Sequence, residues 1–316
     1  MASLNFPGKE FIHKNEWTSL LALVGFLLAG YFLAQFASYV VMGIYFGFDL
    51  SKLQQLMADP YHAEGGRFAF LLLQGVSSLL LFIVVPFAYI YLFERGDIKQ
   101  VFVKGHANIG LGLFITFFLI LAYMPMSAYT VQWNESVKFP DGLELVEEIM
   151  RNMEDQLAKL TKFLIDFDGP FEFLLGLLVI ALLPGVGEEL LFRGVLQNKI
   201  HQLSKNPHLA IWLSAFIFSA IHLQFYGLVP RMLLGALFGY LYIWSGTLLV
   251  PMFAHFLNNG YTLTAVYLNS IGLVEVDLEN TEVSIQAVLF SLVLTSGLLW
   301  VFRMKQAPNS KFDDLE

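Results

Sequence analysis

Long apolar runs separated by short polar segments dominate the pattern along this chain of 316 residues. A helix needs about 20 apolar residues to cross the hydrocarbon core of a bilayer. We predict eight such spans, and all of them should be helices because backbone polar groups in lipid must be satisfied within their own segment. The predicted spans are Leu20–Phe46, Phe68–Phe93, Ile109–Val131, Phe171–Leu196, Leu209–Val229, Met232–Leu249, Met252–Leu268 and Ile285–Phe302.

The segment between the third and fourth spans, Gln132–Pro170, has a different pattern and is rich in acidic residues. Its apolar residues recur at helical spacing, which predicts an amphipathic helix on the membrane surface or on the bundle. The alternative is a connecting helix whose charged face is simply solvated, and we favour that interpretation. The recurring apolar positions are Leu143, Val146, Ile149, Met150, Met153, Leu157, Leu160 and Phe163.

Composition strengthens the membrane prediction. The chain is 57% hydrophobic and 14% charged, whereas a soluble domain is about 45–50% apolar and roughly 25% charged. We therefore predict an all-α, polytopic membrane helical bundle in contact with membrane lipids. The net charge of −8 argues against a nucleic-acid partner, since phosphate binding needs clustered Lys and Arg. The absence of cysteine excludes disulfides, thiol nucleophiles and metal–thiolate sites.

The order of the spans suggests three regions. Residues 1–170 hold the N-terminal spans and the acidic segment, residues 171–303 a transmembrane core that carries the candidate catalytic residues described below, and residues 304–316 a polar tail. With eight spans, both termini lie on one side, and that side collects eleven Lys and Arg residues against seven on the other. The positive-inside rule then predicts a multi-pass protein of the plasma (cytoplasmic) membrane with both termini cytoplasmic. We interpret the first apolar run as a retained span rather than a signal peptide.

Two adjacent carboxylates lie inside the fourth span, and acids at membrane depth are costly enough to suggest a functional site. Glu189 and Arg193 are four residues apart and share a helix face, so they are predicted to pair. Glu188 points about 100° away from Glu189 and has no such partner. It is thus a candidate general acid or base, although all three residues could instead form a purely structural ion-pair cluster.

Two later spans carry a lone histidine each. A single histidine on an apolar helix is more often a packing residue than a functional one, and this holds for His222 alone. His255 and Asn259 are four residues apart and can face one point in the bundle, and Asn258 could do the same by geometry. Isolated polar groups are unfavourable in lipid, so we expect those of the fourth, fifth and seventh spans to converge.

Three motifs in this order resemble the CAAX-protease and bacteriocin-processing family, also called the abortive-infection family, which includes the type II CAAX prenyl endopeptidases. The motifs are Glu188-Glu189-x-x-x-Arg193, Phe218-x-x-x-His222 and His255-x-x-x-Asn259. The resemblance covers about Phe171 to Leu268 and implies an intramembrane endopeptidase that acts on a membrane-associated protein or peptide. It also selects Asn259 over Asn258.

The resemblance implies a role for each motif residue. Glu188 and His222 would activate a water, His255 and Asn259 would stabilise the oxyanion, and Glu189 and Arg193 would support them. We favour a mechanism without a cofactor. A zinc ion held by Glu188, His222 and His255 is the alternative, although the chain has no His-Glu-x-x-His motif.

Two other functions remain open at this stage. Intramembrane acids and histidines also serve proton-coupled transporters, and a polar core can persist in a non-catalytic scaffold or immunity protein. No internal repeat supports a transporter. The sequence specifies neither the substrate, prenylated or not, nor the oligomeric state.

Overall fold

The computed structural model of the protein describes residues 15–96, 101–102, 108–275 and 283–306. Most of the predicted polar tail, from residue 307 onward, lies outside the described residues. So do Lys9 and Lys14, which contribute to the predicted orientation.

Ten helices make up most of the described chain, and no strand occurs among the described residues. The helices are α1 (Glu16–Tyr45), α2 (Leu50–Ala58), α3 (Gly66–Glu94), α4 (Ile109–Glu135), α5 (Glu144–Ile165), α6 (Pro170–Ser204), α7 (Pro207–Ala220), α8 (Leu228–Ser245), α9 (Leu249–Ser270) and α10 (Ile285–Gln306). Helices α3 and α6 each contain two π-helical segments. The predicted all-α helical bundle is confirmed.

Eight of these helices correspond to the predicted spans, and six of the eight are long and apolar enough to cross a membrane. The two exceptions are α7, with 14 residues, and α9, with 22. Helix α9 is long enough, but His255, Asn258 and Asn259 lower its hydropathy. A polytopic membrane protein is therefore the class that the fold defines, and its two least typical spans are those that carry the polar motifs.

The predicted extent of the fifth span is wrong. Helix α7 ends at Ala220 instead of continuing to Val229, so His222 lies in the turn after the helix rather than inside it. Leu223 adopts a φ of 55°, and the Ser219 hydroxyl donates to the Leu228 carbonyl across the turn. These local bonds reverse the chain earlier than an apolar run alone would suggest, and α8 accordingly begins four residues before the predicted sixth span.

The predicted amphipathic helix is present as α5. Its charged residues are largely exposed, as expected for a solvated connection, and Leu164 is its buried contact with α3 and α6. That interpretation is incomplete at Glu154, whose carboxylate turns toward the bundle and accepts hydrogen bonds from Gln224 and from the Tyr226 backbone. Helix α5 therefore also bonds to the turn between α7 and α8.

Helix α6 carries both acids and contacts helices on two sides through small residues. A Cβ added at Gly185 would lie 3.0 Å from the Phe256 backbone nitrogen in α9. One added at Gly187 would lie 2.7 Å from Phe82 in α3. Glycine at these two positions allows close backbone approach, and this approach brings Glu188 next to the polar face of α9.

Candidate active site

A fully buried ion pair forms the base of the site. Arg193 Nη1 donates to Glu189 Oε1 at 2.7 Å, which is the predicted pairing across one helical turn. His255 Nδ1 lies 2.9 Å from the same carboxylate oxygen. Because an ionised carboxylate only accepts hydrogen bonds, the His255 proton must be on Nδ1. Glu189 thus fixes the orientation of His255 from a neighbouring helix.

Arg193 is fully buried, and both Nη atoms, but not Nε, have hydrogen-bond partners among the described residues. Its Nη2 donates to the Gly235 carbonyl of α8 at 2.6 Å. Its guanidinium lies 5.0 Å from the Phe218 ring centroid and 5.5 Å from that of Phe238. Cation–π contacts and a carboxylate together offset part of the large cost of burying this charge.

Glu188 occupies the other side of the same imidazole. Its Oε2 is 3.9 Å from His255 Nε2, and 9% of the residue is exposed, on the cavity side. The two adjacent acids therefore face the two nitrogens of one histidine. With Nδ1 held by Glu189, His255 presents Nε2 to Glu188 and to the cavity.

His222 enters the site from the turn after α7. Its Nδ1 lies 2.7 Å from the Phe218 carbonyl, and a carbonyl can only accept. The proton of a neutral His222 is thus on Nδ1, which leaves Nε2 as a hydrogen-bond acceptor. The Phe218 ring contacts both imidazoles, with centroids 5.2 Å from His222 and 6.0 Å from His255.

Asn259 is fixed by a backbone irregularity in α6. Pro184 has no N–H to donate to the Ile180 carbonyl four residues earlier, and Asn259 Nδ2 donates to that carbonyl at 3.2 Å. Asn258 Nδ2 in turn donates to Asn259 Oδ1 at 3.1 Å. A side-chain amide carries two N–H donors, so one donor of Asn259 is left for a ligand.

These side chains line one cavity of about 480 Å³. Glu188, His222, His255, Asn258 and Asn259 all contribute to its wall. Glu189 and Arg193 lie behind this wall and do not line the cavity. The six residues singled out from sequence are therefore grouped in two layers, one at the cavity and one supporting it.

The alternative predicted from sequence is a zinc ion held by Glu188, His222 and His255. In the described part of the chain, no three His, Asp or Glu side chains are grouped so that they could hold a metal ion. Glu188, His222 and His255 share the cavity without forming such a group. The three residues do not fit a zinc shell as they stand.

Sequence analysis missed three charged residues of the cavity. The count of Lys and Arg treats Arg231 as a loop charge, and Glu135 and Glu154 belong to the acidic segment Gln132–Pro170, yet all three line the cavity. Arg231 lies in the first turn of α8, and its Nη2 donates to Gln224 Oε1 at 2.7 Å. The early end of α7 at Ala220 is what brings this turn to the cavity, and an apolar run gives no signal for that end.

Residues 170–261 match the family model of the Rce1-like type II CAAX prenyl endopeptidases. The resemblance inferred from the motifs is confirmed over this region, which includes every candidate site residue. The region is thus similar to membrane proteases of this family.

One curated relative matches over 85 residues. It is the uncharacterized protein YpbD of Bacillus subtilis (strain 168), which is 34% identical over 26% of this chain. The chain spans 40% of that relative's length. No solved structure gives a significant match.

Proposed function

We propose that this protein is an intramembrane endopeptidase that hydrolyses a peptide bond in a membrane-associated protein or peptide. The observation that carries the proposal is the placement of Glu188 and His255 Nε2, 3.9 Å apart, on a cavity that His222 and Asn259 also line. A carboxylate base, an imidazole acceptor and separate hydrogen-bond donors are the groups that amide hydrolysis requires.

Each residue has a defined task in the proposed reaction. Glu188 takes a proton from a water whose other hydrogen is oriented by His222 Nε2. The water oxygen attacks the peptide carbonyl carbon, and negative charge develops on the carbonyl oxygen. In this proposed step His255 carries a proton on each ring nitrogen, so its Nε2–H and the second N–H of Asn259 donate to the oxyanion. When the C–N bond breaks, Glu188 returns its proton to the departing amine, so that protons and charges balance.

Glu189 and Arg193, behind the cavity wall, orient the His255 imidazole before the substrate binds. Glu189 Oε1 accepts from both His255 Nδ1 and Arg193 Nη1, so the imidazole is held in its orientation and none of the three needs to move. Donors that are already oriented stabilise developing charge without a reorganisation cost. We further propose that both termini face the cytoplasm, which the distribution of Lys and Arg supports.

Comparison of cleavage products in the native host tests the proposal. Cells that lack the gene receive the wild type, Glu188→Gln or His222→Asn, and new protein termini in their membranes are mapped by mass spectrometry. We expect termini that depend on the wild type, are absent with Glu188→Gln and are reduced about 10²–10⁴-fold in rate of formation with His222→Asn.

A matched control is His208→Asn, because His208 is exposed at the start of α7 and bonds to Tyr240 away from the cavity. This variant should form the same termini as the wild type. All variants must reach the membrane in equal amounts. Identical termini in wild-type and Glu188→Gln cells would contradict the proposed function.

A further inference from the structure

Arg231 lines the cavity, and no carboxylate in the described part of the chain pairs directly with it. Its Nη1 is shielded from solvent and has no hydrogen-bond partner among the described residues. No carboxylate of the described residues lies within ion-pair distance of the guanidinium, and Glu154 and Glu188 act on it only at longer range. A buried charge without a direct partner is costly, so the group calls for an explanation.

The turn between α7 and α8 holds the guanidinium in place. Glu154 Oε1 accepts from Gln224 Nε2 at 3.1 Å, which directs Gln224 Oε1 toward Arg231. A Cβ added at Gly227 would lie 2.9 Å from Arg231 Nη2, so the guanidinium packs directly on this glycine. Helix α5 and the turn thus orient the arginine while they leave Nη1 unused.

A purely structural role for Arg231 as counter-ion of Glu154 does not account for this geometry. The two carboxylate oxygens of Glu154 bind Gln224 and the Tyr226 backbone, not the guanidinium. A guanidinium that lines a cavity and has no direct ion-pair partner suits a planar, singly charged acceptor. A dianionic phosphate fits less well, because the carboxylates of Glu135, Glu154 and Glu188 line the same cavity.

We propose that Arg231 binds a carboxylate of the peptide substrate, either its C-terminal carboxylate or an acidic side chain, and so positions the peptide against Glu188. This inference rests on the proposed function. Pairing would supply Arg231 with the partner that it lacks, and binding energy gained away from the reacting bond would hold that bond in place.

Binding of lipid-anchored peptides tests the proposal without any need for cleavage. The probes are N-palmitoyl-tetraalanine with a free C-terminal carboxylate, its C-terminal amide, and an amidated analogue whose last residue is Glu. Dissociation constants are measured by calorimetry with the purified full-length protein in detergent micelles. We expect the free acid to bind roughly tenfold more tightly than the amide, as for a charge-assisted hydrogen bond.

Variants assign this preference to one residue. Arg231→Gln should bind acid and amide equally, whereas Arg231→Lys should keep part of the preference because it keeps the charge. Lys52→Gln removes an exposed cation of α2 and should behave as the wild type. Thermal unfolding of each variant checks that it remains folded.

The outcomes separate this inference from the proposed function. Equal binding of acid and amide by the wild type, or a preference that persists in Arg231→Gln, would overturn the carboxylate site even if cleavage is observed. A preference that depends on Arg231 in a protein that cleaves nothing would leave the site intact and refute the endopeptidase. Tight binding of the amidated Glu peptide would show that a side-chain carboxylate suffices, and weak binding would assign the site to the C-terminal carboxylate.

Discussion

His255 Nδ1 and Glu189 Oε1 lie 2.9 Å apart, although the two residues belong to different helices and are 66 positions apart in the chain. The same oxygen accepts from Arg193, so one carboxylate links a buried cation to the imidazole that faces the cavity. Glu188, one position earlier, faces the opposite nitrogen of that imidazole. The pair of acids therefore acts on one histidine from two sides.

This arrangement predicts that Glu189 contributes to stability as well as to the orientation of His255. Glu189→Gln leaves Arg193 as a buried cation without a counter-ion, and loss of one partner of a buried pair costs about 3–5 kcal/mol. We expect a correspondingly lower unfolding temperature in detergent, measured by the near-ultraviolet signal of the tryptophans.

The control is the double variant Glu189→Gln/Arg193→Met, which removes the unpaired cation together with its partner. It should be more stable than the single variant, because replacement of a whole buried pair by neutral groups is often close to neutral. If Glu189→Gln is as stable as the wild type, the buried pair of Glu189 and Arg193 does not contribute to the stability of the fold.

The two neighbouring asparagines of α9 are predicted to differ in function. Asn259 bonds to the Ile180 carbonyl and has a second donor for the oxyanion, whereas Asn258 donates to Asn259. Asn259→Ala should lower kcat by about 10²–10³, as for the loss of one oxyanion donor. Asn258→Ala is the matched control, since it leaves the Ile180 bond in place, and it should keep most of the activity.

The measurement is the rate of cleavage of a protein substrate mapped in the native host. The lost bond to Ile180 also predicts a stability decrease of about 1–3 kcal/mol for Asn259→Ala. An equal loss of kcat in both variants would show that Asn258 and Asn259 do not differ in their role in catalysis.

Local helix geometry made part of the site predictable from sequence. Glu189 and Arg193 are four residues apart, and their pairing follows from the pitch of the helix alone. The bond between His255 and Glu189 could not be derived in this way, because it depends on how α6 and α9 pack. The glycines that permit this packing, Gly185 above all, are visible in the sequence, but their contacts are not.

The positions of Arg231 and Glu154 on the cavity wall could not be predicted from the sequence, for a different reason. A count of Lys and Arg in loops treats Arg231 as a marker of membrane orientation, and periodicity treats Glu154 as a solvated residue. Both are redirected by the turn that follows Ala220, where Ser219 and Leu223 end the helix. Hydrogen bonds within the turn determine where these two side chains lie, and the pattern of apolar residues does not predict those bonds.

Glu154 gives helix α5 a predicted pH dependence. Burial is the main effect on its carboxyl and raises its pKa above the usual value of a glutamate. The contribution of Glu154 to docking of α5 is therefore fully present below the ordinary pKa of about 4.3, where the carboxyl is protonated in both states. It is lost as the pH rises through the raised pKa.

Hydrogen exchange across residues 144–165 measures this docking. After correction for intrinsic exchange rates, protection in the wild type relative to Glu154→Gln should be greater near pH 4 than near pH 7. The comparison removes the contributions of Glu144 and Glu147. Their pKa values are lowered, so their contributions to stability change with pH in the opposite direction. Glu148→Gln, at an exposed position of the same helix, should leave the pH profile as it is in the wild type.

The contact of α6 with α9 at Gly185 is predicted to set the distance between Glu188 and His255. A Cβ in Gly185→Ala would lie 3.0 Å from the Phe256 nitrogen and 3.3 Å from the Met252 carbonyl oxygen. Both are backbone atoms of α9, so neither can move without the helix. The helices must separate, at a cost of about 1–3 kcal/mol for overpacking. A misplacement of about 1 Å can lower the rate by about 10²-fold, so cleavage should fall more steeply than stability.

Gly25→Ala is the control for this variant, because an added Cβ there meets no atom within 4 Å in α1. Its stability should stay within about 1 kcal/mol of the wild type, which is the range of helix propensity between glycine and alanine, and its cleavage rate should be unchanged. Both variants are compared by thermal unfolding and by cleavage rate in the same detergent. If Gly185→Ala retains the cleavage rate of Gly25→Ala, close approach of α6 and α9 is not what positions the Glu188 carboxylate against the His255 imidazole.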